Sequence, residues 1–164
     1  MERHYRFYVE TSFWNRLENP VNDWRRPISY AFLRAAQRPH HVLVSRLVTR
    51  ELEEIRDRAQ RKAVHRRLWG QSIRTITTNA KIVAIANDLV ALGGWSENVI
   101  ADMLHVAYAL FARVDALVTW DRNDLARPRT RDVVNAYGRR REMPVPLIGT
   151  PEEVSEWLGI RTRR

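Results

Sequence analysis

Apolar residues along this chain fall into blocks of two kinds. Short compact runs recur at YRFYVE (5–10), HVLVS (41–45), IRTITT (73–78), ALVTW (116–120) and VPLIG (145–149). Runs of this length, rich in β-branched and aromatic residues, predict buried strands. Between them the apolar positions return every three or four residues, which predicts helices with one buried face. A short helix is expected at FWNRL (13–17), with Thr11 and Ser12 as N-cap candidates and Asn19-Pro20 as its break. A second runs through ISYAFLRAAQ (28–37) and stops before Pro39. One long helix is predicted over 46–69, with Leu47, Val48, Leu52, Ile55 and Ala59 at helical spacing. NAKIVAIANDLVALGG (79–94) reads as a helix closed by Gly93-Gly94. Ser96 caps another through Arg113, with Val99, Met103, Leu110 and Val114 along one face. RTRDVVNAYGRR (129–140) is amphipathic. Thr150-Pro151-Glu152-Glu153 opens a last helix by cap, first-turn proline and acidic first turn.

Strands and helices alternate throughout. The pattern predicts the α/β class: a central parallel sheet with helices on both faces, a three-layer α/β/α sandwich. The length of 164 residues suits one domain, read as 1–159, followed by a basic tail at 160–164. There is no internal repeat or linker. In such sheets, ligands gather beyond the carboxyl ends of the strands.

The edge where the strands end is acidic. YRFYVE closes on Glu10, and ALVTW runs into Asp121. Glu51 lies one turn into the helix after HVLVS, beside the apolar stripe, with Glu53 and Glu54 as rivals in the same run and Glu54 rotated further from the stripe. Asp102 is expected two turns into its helix, on a flank shared with Asn98 and His105. Several carboxylates in one cleft cannot all ionise cheaply. Divalent cations resolve the conflict, since four carboxylates offset two Mg²⁺ or Mn²⁺ ions in formal charge. Both are hard ions suited to oxygen ligands. Such ions serve hydrolysis of phosphodiesters.

Charge and composition narrow the partners. With 28 Lys and Arg against 19 Asp and Glu, the net charge is +9, and Lys62 and Lys81 are the only lysines. A surface of that sign concentrates polyanions. The segment RDRAQRKAVHRR (56–67) is basic over three turns, and Trp14 and Trp24 are candidates for stacking on bases. The absence of cysteine excludes disulfides and thiolate metal sites. The charged N-terminus MERHYRFYVE lacks a signal-peptide run. The most apolar stretch, IVAIANDLVALGG, is broken by Asn87 and Asp88 and is too short to span a bilayer. A cytoplasmic protein without membrane contact is expected.

Four pieces in order, YVETS, VSRLVTREL, ADMLHVAYA and LVTWDRNDL, resemble the PIN-domain family, and within it the VapC-type toxins of bacterial toxin–antitoxin pairs. The resemblance covers nearly the whole chain. It implies a PIN-like sheet of strand order 3-2-1-4-5 and a metal-dependent endoribonuclease with one or two Mg²⁺ or Mn²⁺ ions. It also implies a cognate antitoxin and a homodimer. Carried over residue by residue, it places the four catalytic, metal-holding acids at Glu10, Glu51, Asp102 and Asp121. Ser12 and Thr119 match supporting hydroxyl positions. Glu10 stands where the family usually has aspartate. Asp124 stands where near relatives often have histidine, and is a further candidate ligand. Asn98 is a candidate hydrogen-bond partner of Asp102, and His105 a candidate support or satisfied core histidine.

Two other classes compete. The substitution at Glu10 motivates a non-catalytic PIN-like module that binds RNA or an acidic partner through its basic surface. A phosphatase with an aspartate nucleophile needs Asp-x-Asp after the first strand, and this chain has Glu10-Thr11-Ser12. No GxxxxGK[ST] loop or GxGxxG turn is present, which argues against nucleotide cofactors.

Overall fold

A computed structural model describes residues 3–19, 21, 23–37, 39–70 and 73–162. Five strands form one sheet: β1 (Arg6–Val9), β2 (His41–Ser45), β3 (Arg74–Ile76), β4 (Ala116–Val118) and β5 (Leu147–Gly149). Their order is β3-β2-β1-β4-β5, and every neighbouring pair is parallel. β1 is central, with Phe7 beside Val42 on one side and Ala116 on the other. Phe7, Tyr8, Val9 and the whole of β4 are buried, as expected where helices cover both faces.

The flanking helices are α1 (Thr11–Leu17), α2 (Arg25–Ala35), α3 (Arg46–Glu53), α4 (Arg58–Trp69), α5 (Ala80–Gly93), α6 (Ile100–Phe111), α7 (Pro128–Arg141) and α8 (Pro151–Leu158). They pack in two groups. α5 lies against α6 and α7, while α1 lies against α2 and α3, and α2 against α8. The three-layer α/β/α sandwich expected from the alternation is the one observed, with the strand order that the resemblance implies.

Local signals set the ends. Asn79 accepts the Ile82 N–H at the start of α5, and Gly94 closes that helix in the left-handed region at φ 61°. Thr150 and Glu153 form a reciprocal capping box under α8.

Three expectations shift. The long helix over 46–69 is two helices. The Asp57 carboxylate accepts the Gln60 N–H at 2.6 Å and starts α4 afresh, and Ala59, expected on the buried stripe, is exposed. A strong cap outcompetes the continued apolar spacing. Ser96 begins only a short 3-10 turn (Glu97–Val99), and α6 starts at Ile100, so Asp102 lies in the first turn rather than the second. Helix α1 is capped by Glu10, not by Thr11 or Ser12. Pro20 of the expected Asn19-Pro20 break and the last two residues of the basic tail lie outside the described residues.

Candidate active site

Glu10, the residue after β1, is 6% exposed yet fully supplied with donors. Its Oε1 accepts the Ser12 N–H at 3.0 Å, and its Oε2 accepts the Ser12 hydroxyl at 2.5 Å and the Thr119 hydroxyl at 2.7 Å. The same two hydroxyls take up the backbone that follows β4. Ser12 Oγ accepts the Trp120 N–H at 2.8 Å, and Thr119 Oγ1 accepts the Asp121 N–H at 2.9 Å. Glu10, Ser12 and Thr119 therefore lock the carboxyl ends of the two central strands together.

Asp121 follows immediately. Its Oδ1 accepts the N–H groups of Asn123 and Asp124 and shapes the turn. Asp124 is exposed, and its nearest cation, Arg127, stands at 4.0 Å, the outer limit of an ion pair. Asp102 projects from the first turn of α6, half-buried, with no hydrogen-bond donor among the described residues. Burial, and then the negative charges of Asp121, Asp124 and Glu10, push its carboxyl up to about 6, opposed in part by His105. Among the described residues, no arginine or lysine pairs with Glu10, Asp102 or Asp121.

Glu51, on α3, is held differently. Its Oε1 accepts the Thr11 hydroxyl at 2.7 Å and lies 2.8 Å from Nε2 of His105. Burial opposes ionisation of Glu51, but the hydrogen bonds and charge from His105 and the Thr11 bond outweigh it and hold the carboxyl below its usual range. The structure thus gathers Glu10, Asp102, Asp121 and Asp124 into one field, and attaches Glu51 to them through His105, one turn after Asp102 on α6.

Other candidates separate. Asn98 is exposed in the 3-10 turn and makes no hydrogen bond to Asp102. Trp14 is fully buried, its indole N–H on the Val9 carbonyl, so it belongs to the core. Trp24 is 63% exposed and meets Trp120 edge-on at 5.6 Å between centroids. His40 accepts the Tyr5 N–H and packs against Phe7. Thr11 was legible in the sequence only as a cap candidate, and its bond to Glu51 had no sequence signal. The spacing of Asp102 and His105 did put both on one helix flank.

Among the described residues, no three acidic or imidazole groups form a ready-made chelate. The donor chemistry still suits a hard ion. The acids offer oxygen alone, and among the described residues Asp102 has no donor and no arginine or lysine pairs with Glu10, Asp102 or Asp121. Mg²⁺ commonly keeps several waters and uses only one or two carboxylates directly, which this arrangement can supply.

No family model matches the chain, and no curated protein matches it in sequence. Solved structures do share its fold. VapC20 of Mycobacterium tuberculosis, a sarcin–ricin-loop-cleaving toxin, aligns at TM-score 0.58 and 21% identity, over 71% of this chain and 91% of that one. FitAcB of Neisseria gonorrhoeae aligns at TM-score 0.58 and 15% identity, over 89% and 98% of the two chains. VapBC2 of Rickettsia felis, bound to a DNA fragment from its promoter, aligns at TM-score 0.55 and 15% identity, over 87% and 96%. No described helix is long and apolar enough to cross a membrane.

Proposed function

We propose that this chain is a metal-dependent endoribonuclease of the PIN-domain type, acting in the cytoplasm as the toxin of a VapC-like pair. The observation that carries the reading is Asp102. It is half-buried, has no donor among the described residues and stands in the field of three other carboxylates at the carboxyl edge of the sheet. A site so costly to fold without compensation calls for a cation. The fold it shares with a sarcin–ricin-loop-cleaving toxin supports RNA as the substrate class.

Asp102 and Asp121 are the acids best placed to hold one or two Mg²⁺ or Mn²⁺ ions, with Asp124 beside them and Glu51 contributing its unengaged oxygen. When bound, such an ion neutralises charge at the phosphate and acidifies water. The chain's own residues do the rest. Ser12 and Thr119 fix Glu10, which anchors the strand ends that carry Asp121. Thr11 and His105 orient Glu51. Arg58, Lys62 and Arg66 lie exposed on α4 and attract the RNA backbone without reading its sequence. A cognate antitoxin that silences the site and a homodimeric state complete the reading.

Asp102→Asn tests it, since the change keeps size and removes charge. RNA cleavage in Mn²⁺ should fall at least a hundredfold while the circular dichroism of the fold persists. Parental cleavage by Asp102→Asn overturns the mechanism. RNA binding that ignores EDTA, with no cleavage by the parent at any Mn²⁺ level, identifies a binding module instead.

A further inference from the structure

A glutamate carries three rotatable bonds, and fixing it at a site costs side-chain entropy. Glu51, like Glu10, therefore needs an external cause for its orientation. A buried chain of polar groups leads to it. Ser45 Oγ accepts the Val48 N–H at 3.2 Å, so its own O–H is available to Tyr8 Oη, 2.8 Å away. Tyr8 Oη lies 2.8 Å from His105 Nδ1, and His105 Nε2 lies 2.8 Å from Glu51 Oε1. Tyr8 and Ser45 are fully buried and His105 is 2% exposed.

A carboxylate only accepts, so His105 Nε2 carries a proton directed at Glu51, and the Tyr8 hydroxyl bridges Nδ1 and Ser45 Oγ behind it. Every polar atom of the chain is then satisfied, as burial demands. Burial also holds the Tyr8 phenol well above its ordinary range, so it remains an O–H donor.

Both donors to Glu51, Thr11 and His105, fall on Oε1. No described residue donates to Oε2. The four supporting residues come from different places: Tyr8 from β1, Ser45 from the end of β2, Thr11 from α1 and His105 from α6. We propose that Tyr8 and His105 are positioning residues that clamp one oxygen of Glu51 and leave the other free for a cation. The proposal rests on the nuclease reading of the acid cluster.

The test uses the full chain and Mn²⁺ as the probe. In ¹⁵N-labelled protein the His105 Nε2–H proton should appear far downfield, vanish in His105→Leu and move in Glu51→Gln. Calorimetric Mn²⁺ affinity should fall about tenfold in His105→Leu, the ordinary cost of removing a group that orients a ligand. His105→Gln, which keeps an N–H donor toward Glu51, should restore most of that affinity. Tyr8→Phe should lose part of it. A merely structural histidine predicts altered melting in all three variants with unchanged Mn²⁺ affinity once folded, and that result overturns the proposal. If His105→Leu does not fold, the downfield proton decides: a signal indifferent to Glu51→Gln overturns the clamp. Asp102→Asn separates the two readings. Loss of Mn²⁺ there with parental affinity in His105→Leu removes the clamp and keeps the nuclease, whereas parental Mn²⁺ affinity in Asp102→Asn removes the nuclease reading itself.

Discussion

Thr119 Oγ1 stands 2.7 Å from Oε2 of Glu10, joining residues 109 positions apart at the ends of the two central strands. Both groups are buried, and the same hydroxyl receives the Asp121 N–H. Thr119→Val keeps the shape and removes the bond. A hydrogen bond to a charged group contributes roughly 1.5–3 kcal/mol. The variant should lose about 2 kcal/mol in urea unfolding with an unchanged slope, and RNA cleavage should fall because the Asp121 backbone loses its acceptor.

The ionisation of Asp102 makes the metal-free protein sensitive to pH. Its folded carboxyl is raised from 3.8 to about 6, so between those values the folded chain holds a proton that the unfolded chain releases. This contribution is fully present below about pH 4 and is lost as pH rises through 6. Asp102→Asn removes the penalty. At pH 7 without metal it should melt higher than the parent by roughly 1 kcal/mol, partial exposure screening the remainder. Near pH 4 the two melting curves should converge. A pH-independent difference contradicts the assignment.

Divalent ions should reverse the same penalty. At pH 7, Mn²⁺ at about one hundred times its dissociation constant should stabilise the parent by about 2.7 kcal/mol. Thermal melts with Mn²⁺, Mg²⁺ and EDTA check this, and Ca²⁺ and Na⁺ controls separate site binding from ionic strength. The increment should be absent in Asp102→Asn.

Much of this site was legible in the chain because its acids sit where periodicity changes. Glu10 and Asp121 mark the points at which apolar strands end, and Asp102 interrupts an apolar helix. The hydrogen bonds were not legible. Thr11 reaches Glu51 across 40 positions and Thr119 reaches Glu10 across 109, and no local pattern encodes such a meeting. The break between α3 and α4 was misread for a related reason. Apolar spacing continues through Ile55 and Ala59, whereas the deciding event is one carboxylate, Asp57, capturing one N–H. Helix α6 hid its start similarly, because Ser96 resembles a cap but makes no side-chain bond.

Association with RNA should weaken steeply with salt. Arg58, Lys62 and Arg66 are exposed on α4 and make no ion pair among the described residues. Using Asp102→Asn to suppress cleavage, the logarithm of the affinity for a short RNA should fall linearly with that of the salt concentration. Replacing these three cations with glutamine should flatten the slope by about two to three, the number of phosphate contacts removed. An unchanged slope moves the RNA path elsewhere on the surface.

The interruption at 54–57 divides labour between two short helices. α3 carries Glu51 and seats Val48 and Leu52 in the core, while α4 anchors itself through Val64 and Leu68 and turns Arg58, Lys62 and Arg66 outward. Because α4 begins from its own cap, it does not continue the register of α3, and the two are joined instead by Arg61 on the Glu53 and Ile55 carbonyls and by His65 beside the Glu53 carboxylate. Under the proposed nuclease reading, the outer face would be free to diversify toward new polyanions while Glu51 keeps its station, so recognition and chemistry would evolve at different speeds.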